Sequence, residues 1–320
     1  MTAMEIQKDL AGQRLDAALA SLLPDASLRA RRRCIDLGLV CVNGRPGRAG
    51  QRLRVGDRID VAQESATPQP AARLVCREGD YAILAKPAGL HSVSLAGSAA
   101  SSLEAQLPEL LPGQTARLLQ RLDRHTSGLV CAALTGEAAS AFRNWEQRGQ
   151  CHKRYVAILE GEMPQAVTAT RAIDTDQRLK SRVTQDEAPA VRHTCFEPLA
   201  CAPLCELLPG LLPGLVPGGA DGRQAATLAG CVIHRGCRHQ IRAHAAHAGH
   251  PLVGDTLYGA APLSRPEHTE QDPGPAFFLH AAAIVAPALR CTLPPPWPLG
   301  PWGQAVEKWL ESAPQYGMKS

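Results

Sequence analysis

The 320-residue chain is long enough for one large domain with a small one, or for two medium domains. Its 45% hydrophobic and 20% charged residues exclude wholesale disorder and a membrane protein. The net charge of +4 is too small to announce a nucleic-acid binder, but it is unevenly placed: residues 10–62 hold ten Arg, no Lys and five Asp, so the remainder sums to −1.

The opening MTAMEIQKDL has no apolar core of the kind a signal peptide needs, so the chain is expected to be cytoplasmic, with no membrane partner. Leu15, Leu19, Leu22 and Leu23 recur at helical spacing before Pro24. Ser27 caps a second predicted helix that carries Arg29, Arg31, Arg32 and Arg33, with Leu28 and Ile35 on its inner face and Gly38 as its stop. The period then changes: Val40–Val42 reads as a strand, Asn43-Gly44 as a tight turn, and Val55–Val61 as a closing strand. Arginine in place of lysine favours bidentate contact with phosphate. The Gln/Pro/Ala-rich residues 63–74 read as a linker.

Beyond the linker, a strand from Tyr81 ends in Lys86-Pro87-Ala88-Gly89-Leu90, followed by a Ser/Ala/Gly-rich loop over 92–102. Gln120-Arg121-Leu122-Asp123-Arg124-His125-Thr126-Ser127-Gly128 then runs into an apolar strand, which puts Asp123 on a loop at a strand's edge. An amphipathic helix is predicted over 136–149 and a strand over Lys153–Gly161, where Tyr155 shares a face with Ala157 and Leu159. Residues 201–226 hold nine Gly or Pro and three charges and read as an inserted loop. His239-Gln240-Ile241-Arg242 opens a short helix ending at Gly249, with Ile241, Ala245 and Ala248 as its buried stripe, and Gly254-Asp255-Thr256-Leu257-Tyr258-Gly259 follows.

Eleven cysteines without a CxxC pair read as reduced, mostly buried thiols. Cys201 and Cys205 lack a second pair for zinc. His239, His244, His247 and His250 lack a carboxylate or cysteine at ligand spacing, so no metal is expected.

Two resemblances organise these segments. RLDAALASLL, the Arg-rich helix, GLVCVNGRP and RVGDRIDV resemble the small αL-type RNA-binding domain of a ribosomal small-subunit protein and of several RNA-modifying enzymes. The likeness implies that Arg29, Arg31, Arg32, Arg33 and Asn43 face structured RNA. KPAGL, RLDRHTSGL, KRYVAILEG, HQIRAH and GHPLVGDTLYG, in that order, resemble the RluA-type family of RNA pseudouridine synthases. An isolated RLDR would read as an aspartate paired with its neighbours; five ordered motifs are far more specific. One departure is visible: the family carries Gly-Arg and a small residue before HQIR, whereas Gly236-Cys237-Arg238 displaces the arginine by one position.

The family likeness implies an α+β fold with a mixed, mainly antiparallel sheet and flanking helices over 75–311, a tail over 312–320, and a small α/β RNA-binding domain over 10–62 in front. It makes Asp123 the catalytic aspartate, Tyr155 the ring that stacks on the target uracil and helps move its proton, and Arg242 the ion-pair partner of Asp123. Arg121 fills the space left by the flipped nucleotide, and Lys86, His239 and Gln240 join the RNA-binding residues. An ionised aspartate is needed for attack, and a buried guanidinium keeps it so. No cofactor is called for, and the chain is expected to act as a monomer. The favoured substrate is large-subunit ribosomal RNA. Its alternatives are transfer RNA, a non-catalytic RNA-binding assembly role, and a glycosidase-like hydrolase, for which Glu137 and Glu160 are poor second carboxylates.

Overall fold

The structure is a computed structural model that describes residues 2–24, 26–36, 40–61, 71–93, 102–176, 180–209, 224–263 and 277–314. The chain divides into two compact units, Met1–Gln69 with Val93–Ala105, and Pro70–Ser92 with Gln106–Ser320.

In the first unit, β1 (Thr2–Glu5), α1 (Leu15–Ala18, continued by a 3-10 turn to Ser21), α2 (Leu28–Asp36), β2 (Val40–Val42), β3 (Arg45–Pro46) and β4 (Arg58–Val61) follow in order. The four strands form an antiparallel sheet in the order β1-β4-β2-β3. Ile6, Leu15, Leu19, Ile35, Val40, Leu53 and Ile59 make its core. The unit thus begins well before residue 10, because β1 pairs with β4. Leu28, expected on the inner face of α2, is 43% exposed at the helix start; Ile35 alone of that pair is buried. Val55 is exposed and Gly56 has φ +86°, so a turn takes the first half of the expected closing strand. The expected helix stop at Gly38 and most of the linker lie outside the described residues.

The second unit contains β5 (Arg73–Glu78), β6 (Tyr81–Lys86), β7 (Arg117–Leu118), β8 (Ser127–Ala133), β9 (His152–Glu160) and β10 (Val167–Ala169). It continues with β11 (Arg171–Asp174), β12 (Arg182–Glu187), β13 (Thr194–Pro203), β14 (Ala225–Ile233), β15 (Leu279–Ala286) and β16 (Leu289–Thr292). α3 (Leu103–Leu110) straddles the division in sequence; α4 (Gly136–Gln147), α5 (Leu204–Leu207), α6 (Gln240–His247) and α7 (Gly303–Glu311) belong to the larger unit. Its main sheet runs β10-β13-β14-β9-β15-β8-β6-β5, with β16 on β15 and β7 on β8; β11 and β12 form a separate ribbon. Every pairing in the main sheet is antiparallel except β15 with β8. At that junction Gly128 has φ +114°, and an added Cβ would lie 2.3 Å from the carbonyl oxygen of Ala281. Glycine is what lets the two strands meet there.

Val156, Ile158, Leu228, Phe278 and Ala282 pack with Leu204 and Leu207 of α5 and with Val306, Trp309 and Leu310 of α7. A second cluster joins Ile83, Leu129 and Ile284 to Phe142 of α4, whose start is capped by the Thr135 hydroxyl accepting from Ala138 N–H at 3.2 Å.

The expected insert over 201–226 is corrected at both ends. Residues to Pro203 are strand, Leu204 and Leu207 are core, and β14 starts at Ala225; 210–223 lie outside the described residues. The expected tail likewise begins with structure, since Ala313 is buried and the Ser312 hydroxyl accepts from Arg154. Nor are the thiols mostly buried: four are, four are half-buried, and Cys195, Cys201 and Cys205 are exposed. Ala248 caps α6 half-buried, outside the buried stripe expected for it. Among the described residues no helix is long and apolar enough to cross a membrane.

Candidate active site

Asp123 lies four residues before β8, on a loop fixed from both sides. The Ser92 hydroxyl accepts from Leu122 N–H at 2.9 Å and donates to Leu122 O at 2.8 Å. Gly89 N–H donates to Arg124 O at 2.8 Å, and the Arg124 guanidinium returns a bond to Gly89 O at 3.0 Å. Lys86 is buried beneath, its ammonium donating to the carbonyls of Pro87, Leu90 and Arg124 at 2.9, 2.8 and 3.1 Å. Burial pulls its pKa down to about 7, against the opposing pull of Asp123. The expectation that Lys86 binds RNA is therefore corrected: all three of its donors are spent on the chain's own carbonyls.

α6 brings Arg242 to the loop. Its Nη1 donates to Asp123 Oδ2 at 3.0 Å, while Nε and Nη2 grip Asp255 at 2.6 and 2.7 Å. The Asp123 side chain is 23% exposed and that of Asp255 is buried. Desolvation opposes the Arg242 charge, but the two carboxylates outweigh it and raise its pKa. The guanidinium also lies over the rings of Phe277 and Tyr258, 4.4 and 5.1 Å from their centroids.

His239 precedes α6 with φ +58°, a left-handed turn that swings its ring toward the loop. Tyr258 Oη donates to Ser181 O and accepts from Ser181 N–H, so His239 Nδ1–H donates to Tyr258 Oη at 3.1 Å. The other nitrogen, Nε2, then faces Asp123 Oδ1 at 3.8 Å. Desolvation lowers the His239 pKa.

Tyr155 sits on β9, opposite Cys231 of β14 and Ala281 of β15. Burial, with the negative charge of Asp123 as a smaller contribution, pushes its phenol well above the ordinary value and keeps it neutral. Arg242 and His239 thus meet at the Asp123 carboxylate, whose charge is also felt by the buried Tyr155 phenol.

Gln240 is buried, its amide donating to Arg192 O and Thr194 Oγ1 and its carbonyl oxygen accepting from Cys237 N–H, so it builds the α6 entry and is not free for RNA. Asn43, exposed at φ +52°, donates to Asp57 and accepts from Arg58 N–H, contacts that build the turn. Arg31 donates to Ala17 O, and Arg32 pairs at 2.6 Å with the buried Asp16, which also holds Arg14. The side chains of Arg29 and Arg33 lie outside the described residues. Arg121 is exposed. The displaced Arg238 reaches Thr175 O at 2.8 Å, and His244 is taken up by Thr194 and Arg171 O. Among the described residues no three His, Cys, Asp or Glu side chains are grouped to hold a metal.

Sequence reasoning gave no role to Asp255, Tyr258, Phe277 or Ser92. Asp255 and Tyr258 stood in a motif already singled out, and an acid inside GDTLYG was the available signal. Phe277 and Ser92 carried none.

The arrangement is a partly exposed carboxylate gripped by a guanidinium that a second, buried carboxylate holds from behind. The RNA pseudouridylate synthase model matches residues 80–247, and the S4 domain model matches 13–59. A ribosomal large subunit pseudouridine synthase D of Xanthomonas campestris pv. campestris is 31% identical over 263 residues, 78% of this chain and 72% of that one. A protein of the same name from Neisseria meningitidis serogroup A is 32% identical over 271 residues, 80% of this chain and 66% of that one. The solved structure of human RNA pseudouridylate synthase domain containing 1 shares the fold, with TM-score 0.55, 21% identity, and coverage of 79% of this chain and 99% of that one. The chain belongs to the RNA pseudouridylate synthase family and carries an S4 domain ahead of its catalytic unit.

Proposed function

We propose that this enzyme isomerises uridines of large-subunit ribosomal RNA to pseudouridine in the cytoplasm, with Asp123 as the attacking carboxylate. The observation that carries the reading is the 3.0 Å bond from Arg242 Nη1 to Asp123 Oδ2, made by a guanidinium that Asp255 holds from behind. It fixes one oxygen of Asp123 and leaves the other for attack. Ribosomal RNA is favoured because the relatives named above are ribosomal large subunit synthases.

In this reading the arginines of the S4 domain take up phosphates, and the uridine leaves its stack at a cost of a few kcal/mol, offset by contacts in the pocket. Arg121, exposed two residues from Asp123, takes the vacated space. Asp123 attacks the ribose or the base, the nitrogen-linked glycosidic bond breaks, and the uracil turns while Tyr155 stacks on it. Carbon 5 then bonds to the ribose, the bond to Asp123 breaks to free its carboxylate, and the carbon 5 proton leaves while the freed nitrogen gains one, so the isomerisation has no net change of atoms. The Tyr155 phenol, held neutral by burial, serves as a stacking face and a hydrogen-bonding partner in that proton's departure.

The test is a pseudouridine map of ribosomal and transfer RNA from a strain lacking the enzyme and from its parent. Sites in large-subunit RNA should disappear, return with the wild-type chain, and stay absent with Asp123→Asn, whose RNA affinity should remain within a few fold. Loss confined to transfer RNA would overturn the substrate; restoration by Asp123→Asn would overturn the role of the aspartate.

A further inference from the structure

A side chain acts in one direction only if the two peptide planes beside its Cα are fixed, since together they set φ and ψ and hence the Cα–Cβ vector. For Asp123 the plane on the C-terminal side is held by Thr126 N–H, which donates to Asp123 O at 3.1 Å. The plane on the N-terminal side consists of Leu122 C=O and Asp123 N–H. Its carbonyl accepts from the Ser92 hydroxyl at 2.8 Å, and the same hydroxyl accepts from Leu122 N–H at 2.9 Å. Ser92 is 4% exposed, so water does not readily substitute.

A hydroxyl is the one small group that both donates and accepts through a single atom, which is what a residue's own N–H and C=O demand. An alanine there would leave two buried backbone groups without a partner and the Leu122–Asp123 plane free to rotate. Ser92 lies thirty residues upstream of Leu122, in the segment that also supplies Lys86 and Gly89 to the far side of the loop. One segment therefore grips the backbone on both sides of Asp123, at Leu122 through Ser92 and at Arg124 through Lys86 and Gly89.

We propose that Ser92 is a positioning residue of the reaction: through the Leu122 peptide it sets where the Asp123 carboxylate stands against Arg242. This rests on the reading of Asp123 as the attacking carboxylate.

The test uses full-length Ser92→Ala, Ser92→Thr and Ser92→Cys with Asp123→Asn alongside, measured well below each variant's Tm. Ser92→Ala is expected to lower kcat about 10- to 100-fold with KM for RNA within twofold. Ser92→Thr, which keeps the hydroxyl, should return kcat to within about threefold, and Ser92→Cys, a weak donor, should fall between. Hydrogen exchange should show faster exchange at Leu122 in Ser92→Ala while the amides of β8 keep their protection. A folded Ser92→Ala enzyme with wild-type kcat, or a kcat loss that Ser92→Thr does not reverse, would overturn the proposal. If Ser92→Ala does not fold, Ser92→Cys is judged by the same kcat criterion and Leu122 exchange. An active Asp123→Asn enzyme would instead sink the reading of the aspartate, a result separable from any outcome at Ser92.

Discussion

His239 and Arg242 address different oxygens of one carboxylate: His239 Nε2 lies 3.8 Å from Asp123 Oδ1, and Arg242 Nη1 lies 3.0 Å from Oδ2. Because Nδ1–H is committed to Tyr258, a neutral His239 turns a bare nitrogen toward Oδ1, and a protonated one turns a cation there. Burial lowers its pKa; Asp123 and Asp255 oppose that shift, and Arg242 and Arg238 reinforce it. Below the pKa the imidazolium claims the oxygen that the proposed reaction leaves for attack. A pH profile of kcat/KM should therefore carry an acid limb below pH 6.5, and His239→Gln should remove that limb. A profile identical in the two enzymes would contradict this.

Arg242→Lys keeps the charge but loses the fork. One ammonium cannot hold both oxygens of Asp255 and still point at Asp123. Single-turnover pseudouridine formation should slow by about 100-fold or more, with RNA affinity little changed. Asp255→Asn, which leaves one oxygen to accept, should slow it less. A Lys variant within threefold of wild type would show that the charge alone suffices.

How much of this was readable in advance depended on what a motif can encode. The pairing of Arg242 with Asp123 was legible because their motifs stand in order along the chain. Lys86 and Gln240 stand in the same motifs, yet their side chains turn to backbone carbonyls, and a motif marks a residue without saying which way it faces. The links Ser92 to Leu122 and Arg242 to Asp255 arise from tertiary packing, for which no local period exists. β13 went unread over 201–203 because Pro198 and Pro203 lie within the strand, whose register shifts between Pro198 and Ala200. β1 and β5 are edge strands with little alternation to announce them.

His280 couples stability to pH. Its Nε2–H donates to Leu293 O, so Nδ1 accepts from the Ser127 hydroxyl at 2.8 Å, and burial lowers its pKa to about 4. An unfolded chain takes up that proton near pH 6.5. Between the two values the unfolded state binds more protons, so stability is lost as pH falls from 6.5 toward 4, by up to ~1.4 kcal/mol per pH unit from this residue. His152, His234 and His244 also have lowered values and add to the trend. The Tm gap between wild type and His280→Gln should narrow from pH 7.5 to pH 4.5; a constant gap would count against the assignment.

Within the S4 domain, Arg32 is held by buried Asp16 and Arg31 by Ala17 O, so both guanidinia stand in fixed places. Neutralising both to Gln should weaken binding to all RNA sequences alike and reduce the slope of log affinity against log salt by about 1.5. An unchanged slope would exclude them from phosphate contact.

The second carboxylate on Arg242 matters most at the moment the first is lost. In the proposed reaction Asp123 loses its charge on joining the nucleotide, and a guanidinium paired with it alone would be left a buried, uncompensated cation. Asp255 keeps that cation neutralised throughout, so the aspartate can alternate between free and bound without the site changing its electrostatic balance by more than the single charge that reacts.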